Sequence, residues 1–415
     1  MSRTLMTGNA AAAWGARLAR ADYVPAFPIT PQTEIIETLA GWIDSGVMPG
    51  RLVTLESEHS MITAAGGAAA TGVRVFSATS SQGLLYGMEM LYTVAGWRAP
   101  FVLVNVSRGL ASPITLESDH NDIMAARDCG FLQLHCATCQ EVLDSILLAY
   151  RLAEDSRVRL PVIVNLDGFY LSFTREPVET PAAEAAADFI GRYDPQNVRF
   201  RACTPESQAV AVLGGSPYSY FRYETHLAAL NGLAVYGELQ AEFRETFGRD
   251  HPAVEAYHAE HAEYLFVMLG SFATKAREAV DRLREAGHAV GLLRPRLLRP
   301  FPAETLRGLL DGRRAVAVID QNLSMGMGGV LHGELLAALY GHAGAPPVVA
   351  SFIGGLGGRD ISAEEFYEIA AELQRSAEAG RCPPPRLLYT RDELREIRKL
   401  QAIAQVEREE LKGTR

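Results

Sequence analysis

Short, unbroken apolar stretches alternating with helix-patterned segments constrain this chain more than any other feature of it. Stretches of strand length fall at residues 24–27, 52–54, 74–78, 101–105, 132–136 and 162–166. They lack the polar alternation of a half-exposed sheet, so both faces must be covered, as in a parallel sheet flanked by helices. Helical patterns lie between them, at 10–20, 32–43, 59–71, 82–95 and 141–153. The alternation predicts a doubly wound α/β unit over residues 1–190.

From 181 to 261 the pattern loosens, and residues 191–261 read as a connector. Within it, 214–220 reads as loop and 225–247 as one long amphipathic helix. A second α/β unit follows over 262–388, with strands at 264–269, 289–293, 315–319 and 348–352. Its helix over 274–285 follows Ser271, a residue type suited to an N-cap. Residues 389–415 read as a C-terminal helix charged on most faces (Glu393, Arg395, Lys399, Glu407, Glu410), to be laid on a surface or against a partner.

A chain of 415 residues is long enough for two or three cores. A hydrophobic content of 48% without any apolar run of about eighteen residues predicts a globular protein with no bilayer-spanning helix. The N-terminus runs into a helix-like pattern and lacks the apolar core of a signal peptide. A net charge of −10 argues against nucleic acid as the principal partner. Five cysteines make no disulfide framework, so a reducing cytoplasm is expected.

Two motifs stand at expected strand ends. Ala26-Phe27-Pro28-Ile29-Thr30-Pro31 closes the first strand with a threonine held between prolines. Ligands of open α/β sheets bind outside the carboxyl ends of strands, so the Thr30 hydroxyl is placed to touch a small anion, although an ordinary turn would read the same way. Ser57-Glu58-His59 opens a helix beside Ala64, Ala65 and Gly66, an apolar setting that would raise a carboxyl pKa. A glutamate favoured by the helix dipole is the plainer reading. Glu56 is a competing carboxylate, and His59 reads as a packing residue.

Further motifs continue in order: Gly8-Asn9, Ala78-Thr79-Ser80-Ser81-Gln82-Gly83, Ser107-Arg108-Gly109, Asp119-His120-Asn121-Asp122 with Ala125-Ala126-Arg127, and Gly354-Gly355-Leu356-Gly357-Gly358-Arg359-Asp360. Together they resemble the α subunit of thiamine-diphosphate-dependent 2-oxoacid:ferredoxin (acceptor) oxidoreductases of the pyruvate synthase type. Phe27 departs from that family, which more often has tyrosine there; the change removes a hydroxyl and keeps a ring.

The resemblance implies a pyrimidine-binding-type α/β domain followed by a transketolase C-terminal-like α/β domain. It implies that Glu58 is catalytic, bonding the aminopyrimidine of thiamine diphosphate, with Thr79, Ser80, Ser81 and Gln82 beside the cofactor. It makes Thr30 and Arg108 substrate-binding, and guanidinium geometry suits a planar carboxylate through two parallel hydrogen bonds. Asp119 and Asp122 would orient the loop without a catalytic role. The implied reaction takes a 2-oxo acid, coenzyme A and an oxidised acceptor to acyl-CoA, CO₂ and reduced ferredoxin or NADH. Pyruvate is the leading substrate, and an aromatic 2-oxo acid such as phenylglyoxylate, giving benzoyl-CoA, is the alternative.

Other motifs imply less. Cys136-Ala137-Thr138-Cys139 is a lone pair of thiols, and Thr138 with Glu141 forms a capping box that explains it without metal. Gly326-Met327-Gly328-Gly329 lacks the third glycine of a dinucleotide fingerprint, because Leu331 stands there, and reads as a turn before a helix. The glycines of 354–358 suggest tight turns approaching a partner subunit.

The chain also lacks a Gly-Asp-Gly motif and a ferredoxin-like cysteine series. The resemblance accordingly implies partners: a β subunit holding the diphosphate and Mg²⁺, γ and iron–sulfur δ-type subunits with [4Fe-4S] clusters among the partners, and ferredoxin or an NADH-linked flavoprotein. Two further readings stay open: a non-catalytic scaffold subunit, and a simple decarboxylase needing neither coenzyme A nor an electron acceptor.

Overall fold

The computed structural model describes residues 2–195, 200–207 and 211–413. Parts of the expected connector (196–199, 208–210), Met1 and residues 414–415 of the expected C-terminal helix lie outside the described residues.

The first part of the chain runs β1 (Ser2–Thr7), α1 (Gly8–Leu18), β2 (Tyr23–Ala26), α2 (Thr33–Asp44), β3 (Arg51–Thr54), α3 (Glu58–Ala70), β4 (Phe76–Thr79), α4 (Ser81–Tyr86) and α5 (Met88–Gly96). It continues through β5 (Val102–Ser107), α6 (Asn121–Ala125), β6 (Leu132–His135), α7 (Cys139–Glu154), β7 (Val162–Asp167), β8 (Arg175–Thr180) and α8 (Ala183–Ile190). A long α9 (Gly215–Phe247) leads to β9 (Val254–Tyr257), β10 (Tyr264–Met268), α10 (Ala273–Glu285), β11 (Val290–Pro295), β12 (Leu297–Arg299) and α11 (Ala303–Leu310). The chain ends with β13 (Ala315–Asp320), α12 (Val330–Leu339), β14 (Val349–Ile353), α13 (Ala363–Ala379), β15 (Arg386–Leu387) and α14 (Arg391–Gly413).

Two mainly parallel sheets organise these elements. In the first the order is β12-β6-β7-β5-β4, and β2 paired with β3 extends it through a parallel bridge from Tyr23 to Val75. Alternation along β5 sends Val102, Val104 and Val106 into a core shared with α1 and α7, while Phe101 and Leu103 face α3 and α5. Burial on both faces is why its sequence is apolar without a break. The second sheet has the order β15-β14-β13-β10-β11-β9, parallel except for β9. β1 and β8 form a separate antiparallel pair, so a strand precedes the first helix.

The segment expected to build only the second unit also contributes to the first. β12 pairs antiparallel with β6 at the edge of the first sheet. Beside it, Glu141 of α7 receives Arg294 at 2.6 Å and Arg296 at 2.8 Å. Burial alone would raise the Glu141 carboxyl, but the two guanidinium groups bring it down to about 2.

Several local expectations change. The helix expected over 82–95 is two, α4 and α5, divided at Gly87, where a Cβ would come 2.2 Å from Ile62 Cδ1. Residues 215–220, expected as loop, open α9; Pro217 falls in the first turn, where its missing N–H costs nothing. Ser271 does not cap α10: its hydroxyl turns to Asp167, and Phe272 is the N-cap without a side-chain bond. Only half of the expected capping box forms on α7. Thr138 accepts from the Glu141 N–H, but the Glu141 carboxylate takes the Ala137 N–H and the two arginines.

Candidate active site

Because β2, β4 and β5 run parallel, their carboxyl ends meet at one edge of the first sheet. There the Phe27–Pro31 turn, the Thr79–Gln82 segment and Ser107–Arg108 lie side by side, with the start of α3 beyond them. Side-chain donors pin the carbonyls of the first turn. Gln32 Nε2 donates to Phe27 O at 2.9 Å, Asn9 Nδ2 to Pro31 O at 2.9 Å, and Arg108 Nη1 to Thr30 O at 2.6 Å. Thr30 itself is exposed.

Glu58 is the first residue of α3, behind the N-cap Ser57, whose hydroxyl accepts from the Ser60 N–H. It is only 5% exposed, and desolvation pushes its carboxyl up from the ordinary range. Gly83 leaves it room: a Cβ there would lie 2.4 Å from Glu58 Oε1 and 2.7 Å from Thr79 Oγ1. Among the described residues no cation pairs with Glu58. The competing Glu56 is exposed, and its carboxyl is held down by the Ser60 hydroxyl. His59 reaches Glu89 at 3.4 Å on the outside.

Arg108 is 6% exposed, and its guanidinium has no carboxylate within ion-pair reach among the described residues. Neutral oxygens hold it: Thr30 O, and Gln82 Oε1 at 2.5 Å. Burial pulls its pKa down and the nearby Asp122 charge partly restores it. Gln82 thus bonds Arg108 while its neighbour Gly83 abuts Glu58, which joins the acid and the base in one short segment.

The sequence-predicted residues therefore come together, with a few surprises. Ser81 adopts a left-handed backbone, φ 50°. Thr79 Oγ1, Ser80 Oγ, Gln82 Nε2 and Arg108 Nε are buried and have no hydrogen-bond partner. Buried polar atoms are nearly always satisfied, so these four leave hydrogen-bonding capacity unused at this edge. Sequence reasoning singled out neither Gly83, legible only as a close-approach glycine, nor the strength of Asp122. The Asp122 carboxylate accepts from Ser81 N at 3.0 Å, Ser107 Oγ at 2.7 Å, Asn105 Nδ2 at 3.1 Å and Arg108 N at 3.3 Å.

The remaining motifs serve packing. Cys136 and Cys139 are buried, and desolvation raises both thiols, Cys136 to about 12. Among the described residues no group of three or more His, Cys, Asp or Glu is arranged to hold a metal. The 326–329 turn leads into α12, whose first amides are accepted by Asp320. The 354–358 turn packs on this chain's own 115–119 loop, with Gly358 N donating to Ser118 O at 2.7 Å and a Cβ at Gly358 lying 2.5 Å from Glu117 Cβ. No helix among the described residues is long and apolar enough to cross a membrane.

Residues 14–235 match the family model described as pyruvate flavodoxin/ferredoxin oxidoreductase, thiamine diphosphate-binding, and residues 262–366 match pyruvate:ferredoxin oxidoreductase core domain II. Pyruvate synthase subunit PorA of Pyrococcus abyssi is 39% identical over 92% of this chain and 96% of its own length. The PorA subunit of Thermotoga maritima is 42% identical over 88% of this chain and 93% of its own. Ketoisovalerate oxidoreductase subunit VorA of Pyrococcus horikoshii is 38% identical over 91% and 95%. A solved 2-oxoglutarate:ferredoxin oxidoreductase from Magnetococcus marinus shares the fold, with TM-score 0.69 at 21% identity; the likeness covers 90% of this chain and 65% of that one.

The unpaired polar atoms near Glu58 leave hydrogen-bonding capacity for a polar ligand, and they lie within the stretch whose family model is described as thiamine diphosphate-binding. This chain belongs to the pyruvate flavodoxin/ferredoxin oxidoreductase family and is one subunit of a 2-oxoacid:acceptor oxidoreductase.

Proposed function

We propose that this chain is the α subunit of a cytoplasmic pyruvate synthase, taking pyruvate, coenzyme A and oxidised ferredoxin to acetyl-CoA, CO₂ and reduced ferredoxin. One observation carries the reading. Glu58 at the start of α3 and Arg108 after β5 are both buried at this edge, and among the described residues neither forms an ion pair; the nearest opposite charge to Arg108 is Asp122, which bonds its backbone N–H and not its guanidinium. Buried charges are normally paired, so each is reserved for a group of a ligand.

Thiamine diphosphate, when bound, supplies the electron sink that lets a 2-oxo acid lose CO₂. Glu58 would hold its pyrimidine, and a carboxyl whose pKa is raised by desolvation is suited to sharing a proton there. Thr79 Oγ1, Ser80 Oγ and Gln82 Nε2 offer unused polar atoms beside it, and Ser81 shapes the turn that carries them. Arg108 would turn its N–H pair from Gln82 and Thr30 O to the substrate carboxylate, with the exposed Thr30 hydroxyl as a further donor. The diphosphate with its Mg²⁺, the [4Fe-4S] clusters and the electron exit fall to β, γ and δ-type partner subunits, since this chain has no sequence motif for them.

A branched-chain 2-oxo acid is the second reading, because the VorA relative is nearly as similar as the PorA relatives. The test is CoA-dependent viologen reduction by the purified complex, with pyruvate, 2-ketoisovalerate and phenylglyoxylate compared by kcat/KM. Pyruvate leading supports the proposal. Preference for either bulkier acid replaces the substrate, and turnover without coenzyme A or acceptor would reveal a simple decarboxylase instead.

A further inference from the structure

In the second sheet β10 has β11 on one side and β13 on the other, so the strand order reverses there and a crevice opens at the carboxyl ends of β10 and β13. This chain fills that crevice itself. His120 packs on Gly270, where a Cβ would lie 2.8 Å from its Cε1. Its Nε2 meets Asp167 Oδ1 at 2.6 Å, and Asp167 Oδ2 accepts the Ser271 N–H at 2.7 Å and the Ser271 hydroxyl. The His120 N–H donates to Gln321 O at 2.8 Å, and Asn121 Oδ1 accepts the Leu323 N–H at 3.0 Å. One residue on, Asp122 faces the other way and gathers the N–H groups of Ser81 and Arg108, with the Ser107 hydroxyl and the Asn105 amide.

We propose that residues 119–122 are a strut through which the second α/β unit sets the substrate grip: Asp122 is a positioning residue for Arg108 and the Ser81 turn, and His120 and Asn121 fix Asp122 in place. The inference rests on the reading of Arg108 as the carboxylate-binding residue. Asp122 never needs to touch the substrate. It ties the end of β4 to the end of β5, so that Gln82 and Arg108 keep their distance, and its charge supports a guanidinium held in a desolvated place. A strut made of short side chains, hydrogen-bonded at both ends, transmits position where a surface loop would not.

The test uses the assembled complex and compares KM for the 2-oxo acid with KM for coenzyme A. Asp122→Asn turns one acceptor oxygen into a donor and should raise KM for the 2-oxo acid about 10- to 100-fold, the scale of one set of charged hydrogen bonds. KM for coenzyme A should stay unchanged. Ser107→Ala removes a single donor to Asp122, and Asn121→Ala loosens the far end; each should give a smaller rise of the same selective kind. A merely structural fault would lower the active fraction and leave both KM values alone.

Arg108→Gln separates the two layers of the argument. If it raises KM while Asp122→Asn, Ser107→Ala and Asn121→Ala do not, the strut is wrong and the grip stands. If Arg108→Gln leaves KM unchanged, the grip is wrong and the strut falls with it. Should Asp122→Asn fail to assemble, the Ser107 and Asn121 variants decide the question.

Discussion

The molecule has two places where parallel strands bring their carboxyl ends together, and they are finished in opposite ways. At the β2–β4–β5 edge the buried Glu58 carboxyl and Arg108 guanidinium have no ion-pair partner among the described residues, and several polar atoms around them are unbonded. At the β10–β13 edge the Gln321 amide is unbonded, but the buried histidine and its carboxylate neighbour answer each other. His120 lies against Asp167, while Asp320 accepts the first amides of α12 and burial still pushes its carboxyl up to about 7. The same sheet geometry thus yields the edge we propose as the ligand site, where two charged side chains lack ion-pair partners, and an internal joint where His120 and Asp167 pair.

The sharpest way to break this comparison is to neutralise the two unpaired side chains. Glu58→Gln keeps the shape and removes the acid; turnover by the complex should fall about 10²- to 10⁴-fold, the range for loss of a proton-transfer group. Assembly should survive, as sedimentation or gel filtration would report. Turnover that persisted in an assembled complex would return Glu58 to an ordinary helix start and favour the scaffold reading. Arg108→Gln should follow, with kcat/KM for the 2-oxo acid down about 10²-fold, since charged hydrogen bonds contribute about 1.5–3 kcal/mol each. Mutating the matched pair at the other edge should reach stability first and turnover only through the strut.

Two glycines make the same contrast on a smaller scale. At Gly83 an alanine would drive its Cβ to 2.4 Å from Glu58 Oε1, a movable side-chain end. We expect Gly83→Ala to lower kcat about 10-fold with melting temperature almost unchanged, because crowding there is borne by the functional carboxyl. At Gly270 the backbone has φ 72°, and a Cβ would meet the His120 ring at 2.8 Å and Asp167 Oδ2 at 2.9 Å. Gly270→Ala should cost about 2–3 kcal/mol of stability, from left-handed strain plus overpacking. Thermal melts of the complex beside turnover assays would separate the two effects, and an equal loss of stability in both would erase the distinction between the edges.

The legible parts of the fold were those in which one strand or helix decides its own pattern. β5 and β7 are buried on both faces and read directly as apolar runs. That Thr30, Glu58, Gln82 and Arg108 meet at one edge was legible because they sit in short motifs whose order matches a family. Partnership across distant segments was not legible. Ser271 has the composition of an N-cap, yet its hydroxyl is drawn to Asp167, 104 residues earlier in sequence. Leu297–Arg299 looks like part of the second unit, yet antiparallel pairing with β6 carries it into the first. Asp122 looked like a loop carboxylate because its donors lie at 81, 105, 107 and 108 and converge only in the folded sheet.

The smallest expected effect concerns pH and sharpens the comparison from the side of stability. Burial alone would push the His120 imidazole down, but the Asp167 charge and hydrogen bond, with Asp122 and Asp119, leave it above its ordinary value. Burial would likewise raise Asp167, and His120 with Ser271 brings it to about 2. A histidine raised in the folded state contributes stability fully below its unfolded value, about 6.5, and loses it as pH rises through the folded one. A depressed aspartate contributes above its unfolded value, about 3.9, and loses that as pH falls toward 2. The joint is therefore strongest between about pH 4 and 6.5. Glu58 runs the other way: a raised carboxyl makes the fold less stable as pH climbs from about 4.3 through its folded value. His120→Gln should flatten the decline above pH 6.5, and Glu58→Gln the decline above about 4.3, each by at most about 1.4 kcal/mol per pH unit, the weight of one proton. Melting temperatures of the complex across pH 4 to 9 would read both. A His120→Gln curve parallel to wild type above pH 6.5 would mean that the histidine is neutral, and that the second edge, like the first, carries an unmatched charge at Asp167.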